Sequence, residues 1–174
     1  MSRSRSSRKR QQPTAQPPDD FWQEQIRVYG RRVFFIDTGG ILSTFERNEN
    51  VIDFLDSLVG DQLITSTYVL AEAVRRIIKS DFPDRFVGPG GERSNDLAVH
   101  VLTKWLEAQN VKVICPPKQV FDAAKAMLAQ YKDVGWDLVD AISYVIVSGL
   151  EQSRIVSPDG HFRRVGLVCY PASA

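Results

Sequence analysis

Soft metal ligands are scarce in this chain, which has two cysteines and two histidines in 174 residues. Cys115 and Cys169 lie far apart, each in a strand-like run, and His100 and His161 make no cluster with them. A zinc site draws its Cys and His from close spacings, so none is expected. The same scarcity argues against a disulfide scaffold and for two buried thiols in a reducing cytoplasm. No uninterrupted apolar stretch approaches the ~20 residues needed to cross a bilayer, so no membrane partner is expected. The basic N-terminus has no apolar segment behind it and does not read as a secretory signal. No internal repeat is visible. What remains is 43% hydrophobic and 25% charged residues, the composition of one globular domain with a real core.

The net charge of +1 conceals an asymmetry. Residues 1–36 hold eight Lys/Arg against three Asp/Glu, and residues 37–174 hold fourteen against eighteen. The basic share is concentrated in "SRSRSSRKR", followed by "QQPTAQPP". Such composition buries too little apolar surface to fold, so residues 1–18 read as a disordered basic tail. Its functional reading is loose attraction to RNA phosphates; its plainer one is a solvated start. "DDFWQEQIRVYG" reads as a short helix or linker over 19–31, and the folded domain as 32–174.

Within that domain, strands alternate with helices. Strands are expected at 33–37, "QLITS", "VKVIC", "RIVS" and "GLVCY". Helices are expected over about 49–59, from Thr65 or Ser66 to Lys79, from Ser94 to Gln109, after Pro117, and over 137–149. "SDFPDRFVGPGGERS", with two prolines and three glycines, reads as a loop. This alternation predicts an α/β fold, a three-layer α/β/α arrangement around a mostly parallel sheet.

Several acids stand where a plain fold does not need them. "VFFIDTGGIL" runs an apolar strand, of the kind buried on both faces, straight into Asp37. In open parallel sheets that carboxyl end is where ligands sit. The plainer reading of Asp37 is a helix cap. "RIVSPDGHF" repeats the arrangement with Asp159, whose plainer reading is a turn residue. Asp140 lies in a helix that is apolar almost all round, where an unpartnered carboxylate is costly, unless it and Asp137 form a capping pair. Glu72 sits at the edge of an apolar helix face, with an ion pair to Arg75 or Arg76 as its plainer reading. A dinucleotide fold is excluded because "DTGGIL" supplies no G-x-G-x-x-G. Gly39 stands where a haloacid-dehalogenase-type phosphatase would need a second Asp, and the D-x-S-x-S of metal-dependent adhesion domains is missing.

"FFIDTGGIL", "TSTYVLAEAVRRI", "WDLVDAISYVIV" and "SPDGHF" occur in this order, each with an acid. The set resembles the PIN domain family, and within it the VapC-type ribonuclease toxins of prokaryotic toxin–antitoxin pairs. The resemblance spans about Arg32 to the C-terminus. It implies a central parallel sheet of about five strands with helices on both faces. It places metal-binding and catalytic acids at Asp37, Glu72, Asp140 and Asp159. It further implies a cytoplasmic, metal-dependent endoribonuclease, with RNA as substrate and an antitoxin-like protein inhibitor as partner; a homodimer stays open. One departure is Gly39, where the family has a small polar residue, so a hydrogen bond that orients a ligand is expected to be missing.

Four carboxylates at one sheet edge repel by about 4 kcal/mol per pair at ~4 Å, and an oxygen-only donor set selects Mg²⁺ or Mn²⁺ to offset this. Asp37 and Asp140 are the expected direct ligands, with Glu72 and Asp159 holding waters or a second ion. Ser157 is expected to position a phosphate or water, and Arg75, Arg76, Arg163 and Arg164 to contact phosphates. Phe82, Phe86 and Val87 offer a landing site for a partner that inserts Arg or Lys among the acids, meeting Glu72 first. The other reading is a catalytically weak PIN-like module that binds RNA or a protein partner.

Overall fold

The apolar run Val33–Ile36 forms β1, and its last three residues are buried. It lies at the centre of a five-stranded, wholly parallel sheet of order β3-β2-β1-β4-β5. The other strands are β2 (Gln62–Ser66), β3 (Lys112–Ile114), β4 (Arg154–Val156) and β5 (Val168–Tyr170). The computed structural model describes residues 32–79, 94–131, 135–150, 152 and 154–171. The tail 1–18, the segment 19–31 and the loop with Phe82, Phe86 and Val87 lie outside the described residues.

The chain steps outward from β1 through β2 to β3, then crosses back to β4 on the other side of β1. With right-handed crossovers, that reversal sends helices to both faces and makes a three-layer α/β/α fold. The described helices are α1 (Thr38–Phe45), α2 (Glu49–Asp56), α3 (Thr67–Lys79), α4 (Asn95–Ala108), α5 (Lys118–Gln130), α6 (Leu138–Ser148) and α7 (Gly160–Arg164). The core joins Phe34, Phe35, Ile36, Ile64 and Ile155 of the sheet to Val69 and Ala73 of α3 and Ile142 and Ile146 of α6. Among the described residues, no helix is long and apolar enough to cross a membrane.

Asp37 caps α1, in keeping with its plainer reading. Three expectations need correction. The helix expected over 49–59 stops at Asp56, where Ser57 caps it. The stretch after β4 is more than a turn, since Asp159 starts the one-turn helix α7. Cys115 is exposed, and only Cys169 is buried. Cys115 follows β3, an edge strand, and Val113 within that strand is also 38% exposed.

Candidate active site

The strand order reverses between β1 and β4, and Asp37 and Asp159 follow the carboxyl ends of those two strands. This is the crevice where open α/β sheets bind ligands. In register, Ile36 pairs with Val156, so Asp37 and Ser157 stand side by side one residue further on. Asp37 is both a helix cap and a buried carboxylate. Its Oδ1 accepts the Gly40 amide at 2.6 Å, and its Oδ2 accepts the Ser157 hydroxyl at 2.6 Å. Only 6% of the residue is exposed.

Gly40 makes this corner possible. A Cβ there would lie 2.4 Å from the Val156 carbonyl oxygen and 2.8 Å from Ile36 Cγ1. Any side chain would push the first turn of α1 off the end of β4 and take the Gly40 amide away from Asp37.

Ser157 is fully buried and ties two acids together. While its hydroxyl donates to Asp37, it accepts the Asp159 amide at 3.0 Å. Its role is therefore to hold Asp37; it does not face a phosphate or water. Asp159 is half-buried and caps α7. Its Oδ1 accepts the His161 amide at 2.8 Å, and His161 Nδ1 lies 3.2 Å from the same oxygen.

Asp140 and Glu72 come from the flanking helices. Asp137 and Asp140 form a reciprocal capping box at the start of α6. Asp137 Oδ1 accepts the amides of Val139 and Asp140, and Asp140 Oδ2 accepts the Asp137 amide at 3.1 Å. Asp140 is thus half-buried in a first turn, outside the apolar body of the helix. Glu72 is half-buried on α3, where Thr38 Oγ1 donates to its Oε2 at 2.8 Å. Arg76 Nη1 stands 4.0 Å from Oε1, and half of the Arg76 side chain is exposed, so this pair is weak.

Electrostatically the acids form one group. Burial raises the Asp37 pKa to about 7; the Ser157 and Gly40 hydrogen bonds pull it down, and the charges of Asp140 and Asp159 push it up. Burial likewise raises Asp140 to about 6, opposed by the Asp137 amide and reinforced by the charges of Asp137, Asp159 and Glu72. Three of the four acids sit at helix N-termini, where the backbone dipole offsets part of the repulsion. Among the described residues, no three His, Cys, Asp or Glu side chains gather closely enough to enclose an ion. The donor set still fits a cation of the magnesium class. It is all oxygen, Asp37 is buried without a basic partner among the described residues, and such ions take one or two carboxylates with water and substrate oxygens completing the shell.

Sequence reasoning named the four acids and missed what holds them. The supports are Ser157 for Asp37 and Asp159, Thr38 for Glu72, and the Asp137 amide for Asp140. Gly39 has no side chain to donate, and Asp37 has two donors, the Gly40 amide and the Ser157 hydroxyl. The one signal was the hydroxyl two residues before Asp159, in "SPD".

The family model described as PIN domain matches residues 34–167. No curated protein matches the chain. Among solved structures, VapC20 of Mycobacterium tuberculosis, a toxin that cleaves the sarcin–ricin loop, is similar at 20% identity and a TM-score of 0.59. The match covers 78% of this chain and 96% of that one. VapBC2 of Rickettsia felis, bound to a DNA fragment from its promoter, is similar at 14% identity and a TM-score of 0.54, covering 79% of this chain and 96% of that one.

Proposed function

This chain belongs to the PIN domain family, and on that premise we propose that it is a cytoplasmic, divalent-cation-dependent endoribonuclease, the toxin of a toxin–antitoxin pair. One observation carries the reading. Asp37, at the switch point of the sheet, is buried with two neutral donors and two other acids for company, and burial drives its pKa to about 7. A buried carboxylate in that setting needs a proton or a cation.

Asp37 and Asp140 would hold Mg²⁺ or Mn²⁺ directly, with Glu72 and Asp159 receiving its water ligands. When bound, such an ion supplies an activated water and neutralises charge at the scissile phosphate. The chain's own part is orientation. Ser157 and Gly40 hold the Asp37 carboxylate, Thr38 holds Glu72 Oε2, and the Asp137 amide holds Asp140 Oδ2. Arg75, Arg76 and Arg164 are exposed and able to meet phosphates. Arg163 donates to the Pro171 carbonyl and is the least free of the four.

RNA is the proposed substrate, in line with the sarcin–ricin-loop activity of the mycobacterial neighbour. A single-stranded segment would best present its phosphate to recessed acids. An antitoxin-like protein is the proposed inhibitor, and a homodimer is compatible with this reading. A second reading, a catalytically weak module that binds RNA or a protein partner, is favoured by the want of three converging carboxylates among the described residues. Mn²⁺ titration of the isolated protein separates the two. Binding that vanishes in Asp37→Asn, together with RNA cleavage abolished by EDTA, supports the nuclease. No Mn²⁺ binding supports the module.

A further inference from the structure

We propose that Pro158 is a positioning residue for the acidic site, acting through the seat its ring takes on the bare backbone of Gly39. The inference rests on the nuclease reading of Asp37 and Asp159. A Cβ placed on Gly39 would lie 3.2 Å from Pro158 Cδ and 3.3 Å from Cγ. The same point is 3.6 Å from Asp37 Oδ1, so the ring, the glycine and the carboxylate meet at one spot. Gly39 lies inside α1 without a left-handed φ. Its backbone therefore does not call for glycine, and the proline ring does.

Pro158 stands between Ser157 and Asp159, in the turn that carries the fourth acid. That turn is fastened to the first turn of α1 twice. The polar fastening is Ser157 Oγ, between Asp37 Oδ2 and the Asp159 amide. The apolar one is the ring of Pro158 on Gly39. A hydrogen bond alone lets the turn pivot about the bond, and a second contact removes the pivot. Proline suits the place because its φ is fixed and it brings no N–H that would need a partner beside the acids. Pro158 is exposed, so its ring adds little to the core and its substitution leaves the fold standing.

The test is a cycle of Pro158→Ala, Gly39→Ala and the double variant. The Gly40 amide and Asp37 carboxyl-carbon signals are followed by NMR in metal-free protein, and Mn²⁺ affinity is measured by titration. Pro158→Ala removes both ring atoms, so both signals move and Mn²⁺ affinity falls about tenfold, as for other groups that orient ligands. Gly39→Ala pushes the ring away and has the same effect. In the double variant the new methyl occupies the space the ring has left, and both readouts recover toward wild type. Unmoved signals in Pro158→Ala, or losses that simply add in the double variant, overturn the proposal. Wild-type protein that neither binds Mn²⁺ nor cleaves RNA defeats the nuclease reading instead, and the NMR cycle still decides whether the pair positions Asp37.

Discussion

Asp61, ahead of β2 at one end of the sheet, is half-buried; Asp37, just past β1 at the other end, is buried. The fold treats these two acids in opposite ways. Asp61 is met by Arg32, which donates from Nε at 3.1 Å and from Nη2 at 2.6 Å, a two-pronged pair. The Arg32 guanidinium also rests 5.8 Å from the centre of the Phe34 ring, and that of Arg154 rests 5.3 Å from it. Among the described residues, Asp37 has no such partner. It is held by an amide and a hydroxyl, and the charges nearest it are other carboxylates. Asp61, which serves the fold, is given a counter-charge. On the proposed reading, the place beside Asp37 is kept for a cation from solution.

The strongest way to break that contrast is to neutralise Asp37. Asp37→Asn is expected to lower metal-dependent RNA cleavage by about a thousandfold, since several kcal/mol of charge stabilisation depend on the ion being held. Asp140→Asn is expected to act in the same direction. Stability in EDTA should hold or rise, because a buried charge has been removed. Full activity in Asp37→Asn, or activity unchanged by excess EDTA, would sink the assignment.

A pH series reads the same charge without substrate. Unfolded, Asp37 titrates near 3.8; folded, it titrates at about 7. Between those values the folded chain keeps a proton that the unfolded chain has lost, so this group favours folding at low pH. Its contribution is full below about 3.8 and is lost as pH rises through about 7, a span on the order of 4 kcal/mol. Asp140, raised to about 6, acts in the same sense. In EDTA, the urea midpoint of wild type should therefore fall from pH 5 to pH 8 more steeply than that of Asp37→Asn. Equal slopes would mean that Asp37 is not buried as a charge. Saturating Mn²⁺ should flatten the wild-type slope.

Removing a support of Asp37 gives a smaller effect. Ser157→Ala deletes the donor to Asp37 and the acceptor of the Asp159 amide, both inside a fully buried setting. A loss of about 1–3 kcal/mol is expected from the unpaired groups, with Mn²⁺ affinity reduced about tenfold. Cleavage should persist at saturating Mn²⁺, which distinguishes a support from a ligand.

Sequence reading reached the strands, and it singled out Asp37 and Asp159, because a short apolar run followed by an acid is a local mark. A cap role and the proposed ligand role are compatible, since Asp37, Asp140 and Asp159 each stand at a helix N-terminus. Ser157 was read for the wrong task because its partner lies 120 positions away, at the end of another strand. Helix α1 was legible only through the cap reading of Asp37. The need for glycine at position 40 was not, because the Val156 carbonyl that lies where its side chain would be belongs to another strand. The exposure of Cys115 depends on β3 being the last strand of its sheet, and strand order is not written in any one segment.

The smallest effect comes from the paired acid, and it is the control for all the others. Asp61→Asn removes a half-buried carboxylate, and Arg32 loses its partner. The Arg32 side chain is 57% exposed, so water can take over its donors. The Asn amide oxygen keeps one acceptor in place. The urea midpoint should thus fall slightly, and the fall should shrink further in high salt, where an exposed pair is screened. Mn²⁺ affinity and RNA cleavage should match wild type, since the residue lies at the far end of the sheet from the other acids. The two asparagine variants are then opposites: one loses activity and keeps stability, the other loses a little stability and keeps activity. If Asp61→Asn weakens Mn²⁺ binding as much as Asp37→Asn does, the paired and unpaired ends of this sheet are not separate, and the assignment of the cation to the unpaired end falls with that result.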